Sequence, residues 1–185
     1  GPVTLQSNGG ANSNVIVNDT INSGTGALTL QAGNGTDSDV ILNAGVTAGA
    51  LLTMTSGAGA GSDVTLAAGV TAQGASTAVN TPDLNINTGS NLVATTGSID
   101  IQSNAAGQVL TVDFLGNGNI TAASGDVNFN ITTPGQITVS GGPTNGVITA
   151  NAAAGEVVFN GGIGAGAAPV SVNVNQISDF CTTAN

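Results

Sequence analysis

Residues 3–18 (VTLQSNGGANSNVIVN) align without a gap on residues 28–43 (LTLQAGNGTDSDVILN) at an offset of 25. Thr4/Thr29, Leu5/Leu30, Gln6/Gln31, Ser13/Ser38, Val15/Val40, Ile16/Ile41 and Asn18/Asn43 are identical pairs. A third copy, residues 52–69, follows at an offset of 24, with Ser62-Asp63-Val64 over Ser38-Asp39-Val40 and Val70 over Val46. A repeat of this length is one unit that cannot bury its apolar face alone, so the chain must fold by stacking units.

Each unit holds two short alternating apolar segments, such as Leu28-Thr29-Leu30 and Val40-Ile41-Leu42, about 12 residues apart and separated by Gly, Asn, Asp and Ser. Alternation with a period of two, bounded by turn formers, predicts strands, and no 3.6-residue helical period occurs. Stacked strands of this kind predict a parallel β-solenoid. Each coil then lies about 4.8 Å above the last, and equivalent residues form columns. Leu5, Leu30 and Met54 should form one interior column and Val15, Val40 and Val64 another. Thr4, Thr29 and Thr53 should form an outward hydroxyl rank. Asn14, Asp39 and Asp63 should stack just before a strand, where Asx side chains bond nearby main chain. The alternative is a β-sandwich or jelly roll, for which an ungapped 25-residue repeat is not expected.

After Pro82 the apolar segments come faster, starting near Leu84, Ile99, Leu110, Ile120, Val127, Ile137, Val147, Val157 and Val170, mostly about 10 residues apart. The expected organisation is one elongated domain over residues 1–185. Residues 1–72 carry the 24–25-residue repeats, 73–98 an irregular seam, and 99–185 a shorter-period region, in coils of about 20–25 residues. The first strand begins in full repeat pattern, so the chain is expected to be a processed product or a piece of a longer polypeptide.

Strings such as ALTLQAGNGTDSDVILNAG and GDVNFNITTPGQITVSGG resemble the repeats of filamentous-haemagglutinin-type adhesins and autotransporter passenger domains. The resemblance rests on Gly-x-(Val/Ile)-x-(Leu/Val/Phe) spacing and covers nearly the whole chain. It implies a right-handed parallel β-helix exported to the cell surface, with a role in adhesion, matrix or filaments.

Composition narrows the chemistry. The chain has no Lys, Arg or His, and ten acidic residues give a net charge of −10. His-dependent nucleophilic relays, imidazole metal sites and Lys Schiff bases are therefore excluded, as is any Arg clamp on phosphate. Nucleic acid would be repelled rather than neutralised. No apolar run approaches the roughly 18 residues of a membrane-spanning helix. A glycosidase needs only two carboxylates, but the Asp residues read as turn formers or as single strand positions, as at Asp100, Asp113 and Asp126. The expected protein is not an enzyme.

Four features remain. Gly33-Asn34-Gly35-Thr36-Asp37-Ser38-Asp39 is similar to a Ca²⁺-binding solenoid turn, so Asp37, Asp39 and Asp63 are candidate ligands for Ca²⁺, a hard ion that takes oxygen donors. No other cofactor is expected, and a plain Gly/Asx corner is the competing reading. The single Thr rank falls short of the paired ranks an ice-binding face would need. The sequons at Asn18, Asn34, Asn119 and Asn130 are about as many as chance gives in so Asn-, Ser- and Thr-rich a chain. Cys181 has no cation beside it to lower its pKa and reads as inert or as an intermolecular bridge.

A solenoid has strand edges at both ends that must be capped or paired. Val3-Thr4-Leu5 at one end and Val170, Val172 and Val174 at the other, with Cys181, are the candidate assembly residues. The expected function is an extracellular structural protein whose subunits join head to tail into a filament, with itself as partner. The alternative is a segment of a large cell-surface adhesin binding a glycan or host protein.

Overall fold

The structure, a computed structural model, describes residues 1–104, 110–114 and 118–130 in full. Beyond these it describes the backbone of six strands within residues 136–180.

Three strands make each coil. The first coil holds β1 (Val3–Gln6), β2 (Val15–Val17) and β3 (Ile21–Asn22), and the second β4 (Leu28–Gln31), β5 (Val40–Leu42) and β6 (Val46–Thr47). The third holds β7 (Leu51–Thr55), β8 (Asp63–Leu66) and β9 (Thr71–Gly74), and the fourth β10 (Ser76–Asn80), β11 (Asp83–Ile86) and β12 (Asn91–Ala94). Then come β13 (Ile99–Gln102), β14 (Leu110–Phe114) and β15 (Asn119–Ala122), followed by β16 (Val127–Asn130), β17 (Gln136–Ser140) and β18 (Val147–Ala152). The last are β19 (Val157–Asn160), β20 (Gly162–Gly164), β21 (Ser171–Val174) and β22 (Asp179–Phe180).

Every third strand stacks on its predecessor, giving one sheet of eight strands that begins with β1, a second of seven that begins with β2, and a third of seven that begins with β3. All the pairings are parallel. The chain is thus an all-β parallel solenoid with three sides. Parallel pairing on every side excludes the sandwich and jelly-roll alternative, which needs antiparallel neighbours.

Alternation explains the core. In β4, Leu28 and Leu30 are fully buried while Thr29 and Gln31 are half-buried and face outward. In the first sheet Leu30, Met54, Val79, Ile101 and Phe129 form a buried column in one register, whereas Leu5, expected inside it, shares the register but is exposed. Val17–Leu42–Leu66–Ile86–Phe114 runs likewise in the second sheet. Fully buried side chains of this size each contribute roughly 1.5–3 kcal/mol relative to exposure. Val15–Val40–Val64, expected as an interior column, is one.

Ladder register is constant but coil length is not. Along the first sheet Val3 pairs with Leu28, Leu28 with Leu52, Leu52 with Thr77, Thr77 with Ile99, Ile99 with Val127 and Val127 with Val157. These offsets run from 22 to 30, beyond the 20–25 expected from the sequence. The corners absorb the difference. The corner between first and second sheets takes residues 32–39 in the second coil but only 81–82 in the fourth. Residues 73–98, read from the sequence as a seam, carry β10, β11 and β12, each paired on both sides.

Two expectations need correction. The repeats hold three strands rather than two; the third is only two residues long in β3 and β6 and leaves no alternation to read. Val46 pairs with Ala72, not Val70. Val70 closes a turn, its N–H donating to Ala67 O at 3.1 Å, because between the registered pairs Leu42–Leu66 and Val46–Ala72 the third coil holds two more residues than the second.

A buried serine rank holds the first corner. Ser13 N–H donates to Ser38 Oγ (3.2 Å) and Ser38 N–H to Ser62 Oγ (3.1 Å), while the Ser38 and Ser62 hydroxyls donate back to Gly10 O (3.0 Å) and Gly35 O (3.1 Å). Each hydroxyl satisfies main-chain groups that a turn would otherwise leave unpaired away from water. This is why serine recurs at this point of the repeat.

Candidate functional site

The most charged surface of the described region lies at the start of the second sheet. Asn14, Asp39, Asp63 and Asp83 occupy successive coils there. The first two immediately precede β2 and β5, and the last two open β8 and β11. Asp39 N–H donates to Asn14 Oδ1 at 2.8 Å, and Asp63 N–H donates to Asp39 Oδ1 at 3.0 Å. Each side chain thus accepts the main-chain donor of the coil that follows it, the Asx role expected from the repeat.

The sequence reading missed Asp83. It pairs directly with Asp63 in the parallel ladder, at an offset of 20 where the repeat is 24 or 25, so no fixed period reveals it. Asp83 breaks the capping pattern. Its N–H turns to Thr81 Oγ1 at 3.3 Å, and its Oδ1 is buried with no hydrogen-bond partner. The expectation that the Asp residues stand singly on strands therefore fails for Asp63 and Asp83.

Electrostatics follow from this stacking. Burial, reinforced by the charges of Asp39, Asp113 and Asp37, raises the Asp63 carboxyl to about 6. Burial, with Asp63 and Asp113 beside it, raises Asp83 to about 7. Desolvation and like charge both disfavour the ionised form, and the chain offers no cationic side chain to oppose them. The two carboxyls project from the same side of adjacent strands, as partners in one ladder rather than as groups facing each other across a groove.

Asp37 sits apart from this column, in a left-handed conformation (φ 49°) at the corner before β5. Its Oδ1 lies against Gly61, whose own φ of 73° and missing side chain leave room for it. Of the three candidate Ca²⁺ ligands, Asp39 and Asp63 are brought together through a main-chain bond, and Asp37 is a neighbouring charge. Among the described residues no group of three or more acidic or cysteine side chains is placed to hold a metal ion.

The outer face of the first sheet is polar. Thr4, Thr29 and Thr53 form the expected rank, but the next positions are Ala78 and Asp100. Beside it runs Gln6–Gln31–Thr55–Asn80–Gln102, in which Asn80 Nδ2 donates to Thr55 Oγ1 (3.1 Å) and Gln102 Nε2 to Asn80 Oδ1 (2.6 Å). Asp100 accepts from Asn128 Nδ2 at 2.8 Å. These side chains bond along the stack and brace it.

Of the candidate assembly residues, Val3, Thr4 and Leu5 lie on β1, the first strand of its sheet. Val172 and Val174 lie on β21, in register with Ile148 and Ala150. Val170 and Cys181 fall outside the described residues. Among the described residues no helix is long and apolar enough to cross a membrane.

No family model matches this chain, and neither a curated protein nor a solved structure does. The parallel solenoid therefore stands on the geometry above.

Proposed function

We propose that this chain is the body of an exported, non-catalytic surface fibre, of the kind its filamentous-haemagglutinin-like and autotransporter-like repeats resemble, whose copies join head to tail. The observation that carries the reading is the column through Leu5. Leu30 and Met54 in that column are fully buried, whereas Leu5 is 40% exposed on the outer edge of β1. Leu5 is in register with a core column on a strand that ends its sheet among the described residues, which favours a contact with another parallel strand.

Parallel stacking gives the two ends of the solenoid different edges, so the contact between copies is heterologous and propagates. Val3, Thr4 and Leu5 on β1 are proposed as one side, and Val172 and Val174 on β21 as the other. A body without cationic side chains, held by ladder hydrogen bonds and aliphatic columns, suits a structural role outside the cell.

Electron microscopy and sedimentation of the native material test this. Fibres are expected, and deleting residues 168–185 should abolish them. Filaments of unchanged diameter from the truncated chain, or capped monomers that bind a glycan or host protein, overturn the reading and favour an adhesin segment.

A further inference from the structure

Asp63 and Asp83 are cross-strand partners in a parallel ladder, so their main chains stand only about 4.8 Å apart. Asp39 lies one coil before Asp63, with its Oδ1 committed to the Asp63 N–H. Asp113 faces outward on β14, one pairing from Asp83, where it lies opposite Asn85. The titratable groups facing the pair are therefore Asp37 and Asp39 from the corner before β5, and Asp113 from β14. All are acidic. Gly1 packs against Gly26 at the corner between the third and first sheets. The other described carboxylates stand elsewhere: Asp19 follows β2, Asp100 lies on β13 and Asp126 precedes β16.

Asp83 Oδ1 is buried and has no hydrogen-bond partner. An ionised oxygen so placed has lost its water and gained nothing, which is costly. The Thr81 hydroxyl, two residues before it, is already committed, donating to Asp83 O at 2.7 Å and accepting from Ser56 at 2.7 Å. A proton taken from solvent resolves the conflict, because it removes one charge from the ladder and turns one carboxyl into a donor toward the other.

We propose that the Asp63–Asp83 pair is a proton-binding device that holds a proton between adjacent coils near neutral pH, tightening the solenoid as its surroundings acidify and loosening it as they turn alkaline. This assignment stands independently of the fibre reading, since it concerns the fold of a single chain.

The direction follows from linkage. In the unfolded chain these carboxyls ionise at the ordinary value of 3.8, whereas in the fold they hold protons up to about 6 and about 7. Between those limits the folded state binds more protons than the unfolded one, so stability falls as pH rises. The contribution is fully present below the ordinary carboxylate range and is lost as pH rises through the two raised values. This is the reverse of the salt-bridged carboxylates whose protonation drives acid unfolding.

Thermal unfolding of the full chain, followed by circular dichroism at constant ionic strength, tests the device. The wild-type midpoint should fall by about 2–4 °C or more between roughly pH 5 and pH 8. The doubly substituted Asp63→Asn, Asp83→Asn chain, which keeps size and hydrogen-bonding capacity without charge, should lose that slope. Carboxyl ¹³C resonances of Asp63 and Asp83 in the wild-type chain should titrate well above those of an ordinary aspartate. A wild-type midpoint that is flat or rises with pH overturns the assignment, as does a slope that survives in the double variant. If the double variant does not fold, the ¹³C titration decides: both carboxyls ionising below about pH 5 refutes the shared proton.

Discussion

The Ser56 hydroxyl donates to Thr81 Oγ1 at 2.7 Å, in a fully buried contact between two coils whose corners differ in length by five residues. Thr81 passes the bond on to Asp83 O at 2.7 Å, so a short corner and a long one are locked together through two hydroxyls.

Thr81→Val keeps the shape of the side chain and removes both bonds together with the one that Thr81 Oγ1 accepts from Asp83 N–H. It should destabilise the fold by about 1–3 kcal/mol, the cost of leaving buried polar groups unmade. Ser56→Ala should cost less, since Thr81 keeps its bond to Asp83. A double-mutant cycle by urea unfolding should return a coupling energy of at least about 0.5 kcal/mol. Strict additivity would show that the contact does not bind the two coils.

Core columns and outer ranks should respond differently to truncation. Phe129→Ala removes a fully buried ring in register with Ile101 and should cost about 3–5 kcal/mol. Ile16 is outward-facing and 52% exposed, and Ile16→Ala should stay within about 0.5 kcal/mol. Equilibrium urea denaturation of the two variants measures the difference. Similar costs would mean that the inside and outside of the second and first sheets are misassigned.

Much of this fold was legible in the sequence wherever the repeat kept one offset. The Leu30–Met54 and Val40–Val64 columns, the Thr4–Thr29–Thr53 rank and the Asn14–Asp39–Asp63 stack all lie at offsets of 24 or 25 and were readable as such. Legibility failed where corners changed length. Asp83 joins the acidic column at an offset of 20, and Ala72 joins Val46 at 26, so neither aligns without a gap. Two-residue strands such as Ile21–Asn22 hid for a different reason: they are too short to show alternation, and the ladder rather than local propensity holds them straight. The candidate site suffered most, because its proton chemistry depends on the one carboxylate that breaks the period.

Gly74 turns inward at the end of β9, in register with Ala94. A β-carbon there would overlap Ser76 O, across the one-residue corner at Ala75, and stand 2.9 Å from both Cβ and N of Leu52 on β7. Gly74→Ala should overpack this edge and cost about 1–3 kcal/mol. An Ala variant melting with the wild type would show that the corner yields freely.

Salt should stabilise the protein, against the common pattern for folds held by ion pairs. With a net charge of −10 and no cationic side chain, electrostatics in the described region is dominated by repulsion. Raising NaCl from about 0.01 M to about 0.15 M shortens the screening length from about 30 Å to about 8 Å. The urea midpoint near pH 8 should rise accordingly, and rise less near pH 5, where the Asp63–Asp83 pair is protonated. A midpoint that falls with salt would contradict the repulsive ladder.

Trypsin offers a sharper control than it does for most proteins. The chain has no Lys or Arg, so it should stay intact even when unfolded in urea that trypsin tolerates. Elastase or thermolysin, which cut at aliphatic residues, should instead degrade the chain only as it unfolds. Tryptic fragments seen by mass spectrometry would point to a contaminating activity.

The corners between first and second sheets shrink from eight residues to two without disturbing the ladders on either side. Their position around the axis is therefore set by the strands, while their length varies around the buried serines that hold them. A peptide inserted at the exposed Asn34 or Ala60, leaving Ser38, Ser56 and Ser62 in place, would emerge at one azimuth at successive heights, as labels on a graduated rod. In a solenoid of this kind, that separates what is presented from what holds it up.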